Sequence, residues 1–413
     1  MKDNRKDMLD SDAVEGLHYQ TGEPIRVHID NGVIAYIESM ECNDDVEYTG
    51  NTELTYPLPW IGPGLVDLQI NGCFGIDFNT TLITEEAVQQ ATRNLWTEGV
   101  TTYCPTIISN SEQAIESIVR SISRACLNDR LTADSIACIH LEGPFISPLD
   151  GPRGAHDRSF VRAPDWALFE RWQQAADGKI RLITLSPEWE GAPAFISQCF
   201  RKGVTVSIGH TAATPEQINR AVQAGASMST HLGNGAHPML PRHPNYIWEQ
   251  LAQDQLSAGV IADGFHLPVS VLKVFLKAKA EQLFLVSDAV YLSGLEPGEY
   301  DTHIGGQVVL TKEGKLHLAG NPDLLAGSVR MLRNGVDQLV QSRLCSQSEA
   351  WDMASIRPAS LMHLAVGRGL AIGGPADLLT FNWNQDANLE LCNVYKSGQQ
   401  VSNSNVTNSS SHV

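Results

Sequence analysis

The chain reads as an α/β protein built on parallel strands, on three observations. Short apolar runs alternate with amphipathic segments across the middle of the chain, both ends are strand-rich, and four polar clusters each stand directly after an apolar run. Parallel strands buried on both faces read as continuous apolar runs, with crossover helices as the amphipathic stretches between them. Periodicity alone leaves a closed barrel and a doubly wound open sheet both standing.

Taken in order, IRVHIDNGVIAYIE (25–38) predicts a hairpin, because Asn31-Gly32 suits a turn with positive φ between alternating strands. Strands are expected at 64–70, 136–141, 180–185, 204–208, 257–261 and 283–286, with amphipathic helices over 84–98 and 111–126. Thr214-Pro215-Glu216-Gln217 marks the clearest helix start: an N-cap hydroxyl, Pro at the first helical position, and Gln where a capping box needs it. Short strands are expected again at 376–381 and within 391–401, so that the two termini pair into one small β unit.

Composition narrows the function. With 413 residues, the chain suits one large barrel plus a minor unit, or two medium domains. The formal charge of −18, from 29 basic and 47 acidic residues, disfavours nucleic acid and anionic membranes as partners. The eight cysteines are scattered without a CxxC pair, which reads as reduced thiols in a cytoplasmic protein. The charged first residues lack the apolar core of a signal peptide, and no run reaches the roughly 18 apolar residues of a membrane span. The sequons at Asn405 and Asn408 fall in a polar tail expected to be disordered, and are read as accidental.

The four polar clusters are Glu142 in IHLEGPF, His210 in VSIGHTAAT, His231 in STHLGNGAH and Asp288 in LVSDAV. Barrel enzymes gather their chemistry at the C-terminal ends of strands, so groups far apart in sequence converge there. One carboxylate and two imidazoles make a three-ligand set for a catalytic metal with one position open to water, and an additional Asp serves as general base and then acid. Singly, each has a plainer reading: a hydrogen-bonded structural histidine, or a carboxylate capping the next helix. The absence of a P-loop or of a GxGxxG between strand and helix removes a doubly wound nucleotide-binding enzyme. A non-catalytic sugar-binding barrel remains as an alternative, although a binding module needs no base beside a metal.

The motifs in order resemble those of the N-acetylglucosamine-6-phosphate deacetylases of the amidohydrolase superfamily. They are PGLVDLQINGCFGIDF (63–78), EGVTTYCPTIIS (98–109), HLEGPF (140–145), GAHD (154–157), GHTAAT (209–214), STHLGNGAHPM (229–239), IADGFHLP (261–268), VSDA (286–289) and LAGS (325–328). The resemblance implies a distorted (β/α)8 barrel over 63–370. It adds a small β-sandwich from 1–62 and 371–401, and does not extend to 402–413, the tail whose polar composition predicts disorder. It implies Glu142, His210 and His231 as metal ligands, Asp288 as the catalytic acid–base, and His156, His266, Asn234 and Gly235 as substrate contacts. It implies one divalent ion per subunit, Zn²⁺ by default with Fe²⁺, Co²⁺ or Mn²⁺ also suited to the donor set. The implied substrate is a small N-acetylated amino sugar phosphate, and the implied assembly a homodimer.

Two departures stand out. Where many amidohydrolases carry H-x-H for a second metal, this chain has Gln69-Ile70-Asn71, and neutral amides compete poorly with imidazole for a transition metal. These amides are expected to hydrogen-bond loops at the barrel mouth. The family pattern H-L-[FY]-N-A-M is replaced by HLGNGAHPM, and the next loop, LPRHPNYIWEQ, leaves Arg242 as the candidate phosphate ligand. His237 and His243 are further substrate contacts or plain surface groups. These changes keep open a galactosamine-type or unphosphorylated substrate, or a related amide.

Overall fold

The computed structural model describes residues 12–40, 58–302 and 306–403. Eight parallel strands form the central sheet: β1 (Leu65–Ile70), β2 (Val100–Ile108), β3 (Ile139–Glu142), β4 (Ile180–Leu185), β5 (Thr205–Ile208), β6 (Ala226–Ser229), β7 (Ser257–Val260) and β8 (Leu283–Leu285). Each pairs with its sequence neighbours. The sheet curls until β8 faces β1, and the barrel closes at its C-terminal rim through a parallel bridge between Ile70 and Ala289. Lower down the seam stays open, and the backbone N–H of Val66 bonds instead to the carbonyl of Ala354, just before the helix Ile356–Leu361. Ala359 and Met362 plug the barrel bottom against Val66, Leu68, Cys104 and Phe284.

Most strand positions agree with the apolar runs. The strand expected at 136–141 starts later, because Ile136 closes a short helix, Arg130–Ser135, before β3 begins. Strands β2 and β6 lack a run that the periodicity singled out. Both expected helices form, each opened by a side-chain cap from Thr84 or Ser111. The capping box at Thr214 is complete, with Thr214 accepting from the Gln217 N–H and the Gln217 side chain returning to the cap.

The terminal β unit is one continuous seven-stranded sheet, joining Ala13–His18, Pro24–Asp30, Val33–Ser39 and Trp60–Pro63 to Leu378–Trp383, Leu389–Lys396 and Gln399–Asn403. The stretch 391–401 is thus a hairpin of two strands. The last strand reaches Asn403, two residues into the segment expected to be a disordered tail, and the sequons lie outside the described residues. Lys396 ties this sheet to the barrel: it is 2% exposed, with Nζ 2.6 Å from Asp377 and 3.4 Å from the Thr102 hydroxyl. A buried ion pair survives desolvation only with such full pairing.

A second small sheet went unforeseen. Strands Gly298–Thr302, Gly306–Leu310, Leu316–Leu318 and Asn321–Leu325 form an antiparallel meander after β8, with Leu292, Val308, Leu310 and Leu316 as its own core. It hangs over the C-terminal mouth of the barrel.

Candidate active site

The C-terminal rim of the barrel opens into a cavity of about 360 Å³, lined by Glu142, His156, His210, His231, Asn234, Gly235, His266 and Asp288 among others. Glu142 is the last residue of β3, while His210, His231 and Asp288 lie two or three residues beyond β5, β6 and β8. Parallel strands of a closed barrel end at one rim, so these ends bring together side chains that are 68 and 89 residues apart.

Glu142, His210 and His231 converge with all ligand atoms within 4.8 Å of one another, and all three side chains are buried. The Oε1 of Glu142 lies 3.2 Å from His210 Nε2 and 3.1 Å from His231 Nε2, and the two Nε2 atoms are 3.1 Å apart. His210 Nδ1 sits 2.8 Å from the Pro152 carbonyl, which can only accept, so the proton is on Nδ1 and the Nε2 lone pair faces the carboxylate. Bare lone pairs at such distances repel unless a cation stands among them. Donors tetrahedral about a divalent ion at roughly 2.1 Å are about 3.4 Å apart, close to these separations. The donor set therefore fits a divalent metal.

Asp288 faces this cluster across the mouth. Its Oδ1 accepts from Asn71 Nδ2 at 2.7 Å and Gln69 Nε2 at 3.2 Å, and Gln69 Nε2 also reaches Glu142 Oε1 at 2.9 Å. Gln69 and Asn71 thus bind the two carboxylates and not the mouth loops. Burial first, then the neighbouring Glu142 charge, push the Asp288 carboxyl up to about 6.

His156 stacks edge-on against His210, with centroids 4.5 Å apart. Its Nδ1 accepts from the Ser109 backbone N–H at 3.3 Å and lies 2.8 Å from the Ser109 hydroxyl, so the ring proton sits on Nε2. Burial, then the proximity of His210, pull its pKa down to about 3, which keeps it a neutral donor. His266 is oriented in turn by Asp263, whose Oδ2 lies 2.7 Å from its Nδ1.

Of the residues expected at the site, the cavity gathers all but one. Arg242 is exposed, in a loop outside the lining, and the same holds for His243; His237 bonds the Tyr246 hydroxyl instead. Among the described residues that line the cavity there is no Lys or Arg. Sequence reading missed Ser109 and Asp263, which act through histidines it did find. It also missed the apolar wall of Leu292, Leu316, Leu324 and Leu325 that the meander brings over the mouth. Ser109, Asp263 and Leu325 stand inside motifs already singled out, but nothing local gives them a role, and no motif or period marks Leu292, Leu316 or Leu324.

Such a rim, with donors for a divalent ion beside a half-buried carboxylate, defines a metal-type barrel hydrolase. Comparison with known proteins agrees: residues 60–401 match the amidohydrolase family. N-acetylglucosamine-6-phosphate deacetylase of Danio rerio is 31% identical over 83% of this chain and 84% of its own length. That of Bacillus subtilis is 31% identical over 80% and 82%. A Mycobacterium smegmatis N-acetyl-D-glucosamine-6-phosphate deacetylase, solved in complex with N-acetyl-D-glucosamine-6-phosphate, superposes with a TM-score of 0.80 at 26% identity, covering 94% of this chain and 99% of that one. The chain belongs to the amidohydrolase family and, within it, to the N-acetylglucosamine-6-phosphate deacetylases. Family and donor set together point to a divalent metal at the Glu142–His210–His231 cluster.

Proposed function

We propose that the chain hydrolyses the acetamide of N-acetylglucosamine 6-phosphate to acetate and glucosamine 6-phosphate. Glu142, His210 and His231 hold one divalent cation, Zn²⁺ by default, and Asp288 moves the protons. The observation that carries this reading is the convergence of those four groups in one cavity. When bound, the cation supplies Lewis acidity to the amide carbonyl and to a water molecule. Asp288 takes a proton from that water as its oxygen attacks the acetyl carbon. His156, neutral and with its proton on Nε2, donates to the carbonyl oxygen as negative charge develops there. The C–N bond then breaks, and Asp288 returns its proton to the departing nitrogen. His266, held by Asp263, binds the sugar together with Asn234 and Gly235. The apolar wall of the meander excludes water, which strengthens each of these electrostatic contacts.

One observation favours a second reading, an unphosphorylated N-acetylhexosamine: the described lining offers no cationic side chain for a phosphate, and it includes Asp77. Measuring acetate release and kcat/KM with N-acetylglucosamine 6-phosphate, N-acetylgalactosamine 6-phosphate and the free sugars separates the two. Preference for a 6-phosphate supports the first, preference for free sugars the second, and no acetate from any sinks both.

The same reading takes the enzyme as cytoplasmic. Seven free cysteines among the described residues support this, and none of the described helices is long and apolar enough to cross a membrane. It also takes the enzyme as a homodimer, as the family resemblance implies, which sedimentation equilibrium tests. The barrel is assigned to 63–370 and the terminal sheet to the flanking segments, a division that limited proteolysis would check.

A further inference from the structure

We propose that Gln69 and Asn71 are positioning residues that decide which oxygen of Asp288 carries the proton. The inference rests on the proposed function only in taking Asp288 as the proton carrier. Both amide N–H donors converge on one oxygen, Oδ1, at 2.7 Å from Asn71 and 3.2 Å from Gln69. Oδ2 has no hydrogen-bond partner among the described residues, and Asp288 lines the cavity. The backbone is already locked, because the Asp288 N–H bonds the Gln69 carbonyl at 2.9 Å and the Asn71 N–H bonds the Ala289 carbonyl at 2.8 Å. What the backbone leaves loose is rotation of the carboxylate, a broad two-fold torsion that would otherwise exchange the two oxygens. The two side-chain amides remove that freedom.

Further details fit this role. Asn71 Oδ1 is buried without a partner, so the amide's orientation is dictated by its donation to Asp288 and not by a bond to its own carbonyl. Gln69 Nε2 also reaches Glu142 Oε1 at 2.9 Å, so one amide spans the proton carrier and a member of the metal cluster and fixes their spacing. Amides suit the task because they donate at any working pH, whereas an imidazole at the same places would offer a lone pair or a titrating proton.

The test uses the full-length, metal-loaded protein and two variants. Asn71→Leu removes the donor, and Asn71→Asp keeps the shape while losing the permanent N–H. Both are expected to lower kcat by about 10–100-fold, the usual effect of losing an orienting partner. KM, bound metal per chain and Tm should stay unchanged. Crystal structures of both should show the Asp288 carboxylate turned from its present orientation. An unaltered kcat with an unturned carboxylate overturns the proposal. A loss of kcat that tracks a loss of metal or of Tm overturns it as well, since the role is then structural. If the unsubstituted protein releases no acetate from any N-acetyl sugar, the hydrolytic reading fails, and the carboxylate orientation in the variants still decides the positioning role.

Discussion

His210, His231 and Asp288 share a backbone feature that most side chains avoid: their φ values are 48°, 27° and 49°. Left-handed backbone is costly for residues with a Cβ, and where it persists the surrounding structure over-determines it. Here the turn beyond each strand aims a side chain back over the rim of the barrel. Replacing Asp288 with Asn preserves an oxygen for the Asn71 and Gln69 amides but cannot carry the proton. Acetate release should fall by about 10²–10⁴-fold with metal still bound. A variant with near-full activity would remove Asp288 from the mechanism. Asp67 offers a test in stability. Burial pushes its carboxyl up from 3.8 to about 7, and its Oδ2 has no partner. Between those values the folded protein holds a proton that the unfolded chain has lost. This contribution therefore weakens stability as pH rises towards 7, by about 1.4 kcal/mol per unit. Asp67→Asn should flatten that decline in Tm measured from pH 4 to 8; an unchanged slope would show that Asp67 does not titrate in this way.

At the scale of elements, the loop after β6 does most of the shaping of the site. Gly233 and Gly235 both have positive φ, 96° and 56°, and a Cβ on Gly235 would stand 2.9 Å from His210 Nδ1. This close approach explains why the loop reads HLGNGAH. Gly235→Ala should push the imidazole off its seat and weaken metal affinity by about 10–100-fold while the circular dichroism stays native. Metal titration of the chelated protein measures this, and unaltered affinity would mean that the loop yields instead. Helix starts were legible because a cap is a local event: Thr214 and Gln217 answer each other within four residues. The meander was not. Its strands are short and half-exposed, so they carry neither the apolar run of a buried strand nor a clean alternation, as Asn321–Leu325 shows with four exposed residues of five.

For the molecule as a whole, the charge of −18 surrounds a site proposed to take a phosphate ester. Long-range repulsion of an anionic substrate is screened by salt, with a Debye length near 8 Å at about 0.15 M. The KM for a 6-phosphate should therefore fall a few-fold between low and physiological ionic strength, while that for a neutral sugar stays flat. Equal salt dependence for the two would place the phosphate's counter-charge close enough to dominate. Chelation should abolish activity and lower stability by about 4 kcal/mol relative to protein with metal at ~1,000 times its Kd, reversibly on re-adding the ion. A chelated protein that keeps its activity would discard the metal.

The sequence by itself determined the α/β class, most of the barrel strands, and the polar groups that follow them, because strand runs, caps and strand-end polar groups are local patterns. It could name Glu142, His210, His231 and Asp288, but not show that they meet. Tertiary structure alone decided what lies between them. Curling the sheet until Ile70 bridges Ala289 brings Gln69 and Asn71 beneath Asp288, and so turns two amides expected at the mouth loops into donors for the carboxylates. The same closure leaves Arg242 on the surface and brings Leu316 and Leu324 over the cavity. Those outcomes depend on contacts between segments far apart in the chain, which no period or motif within a segment encodes.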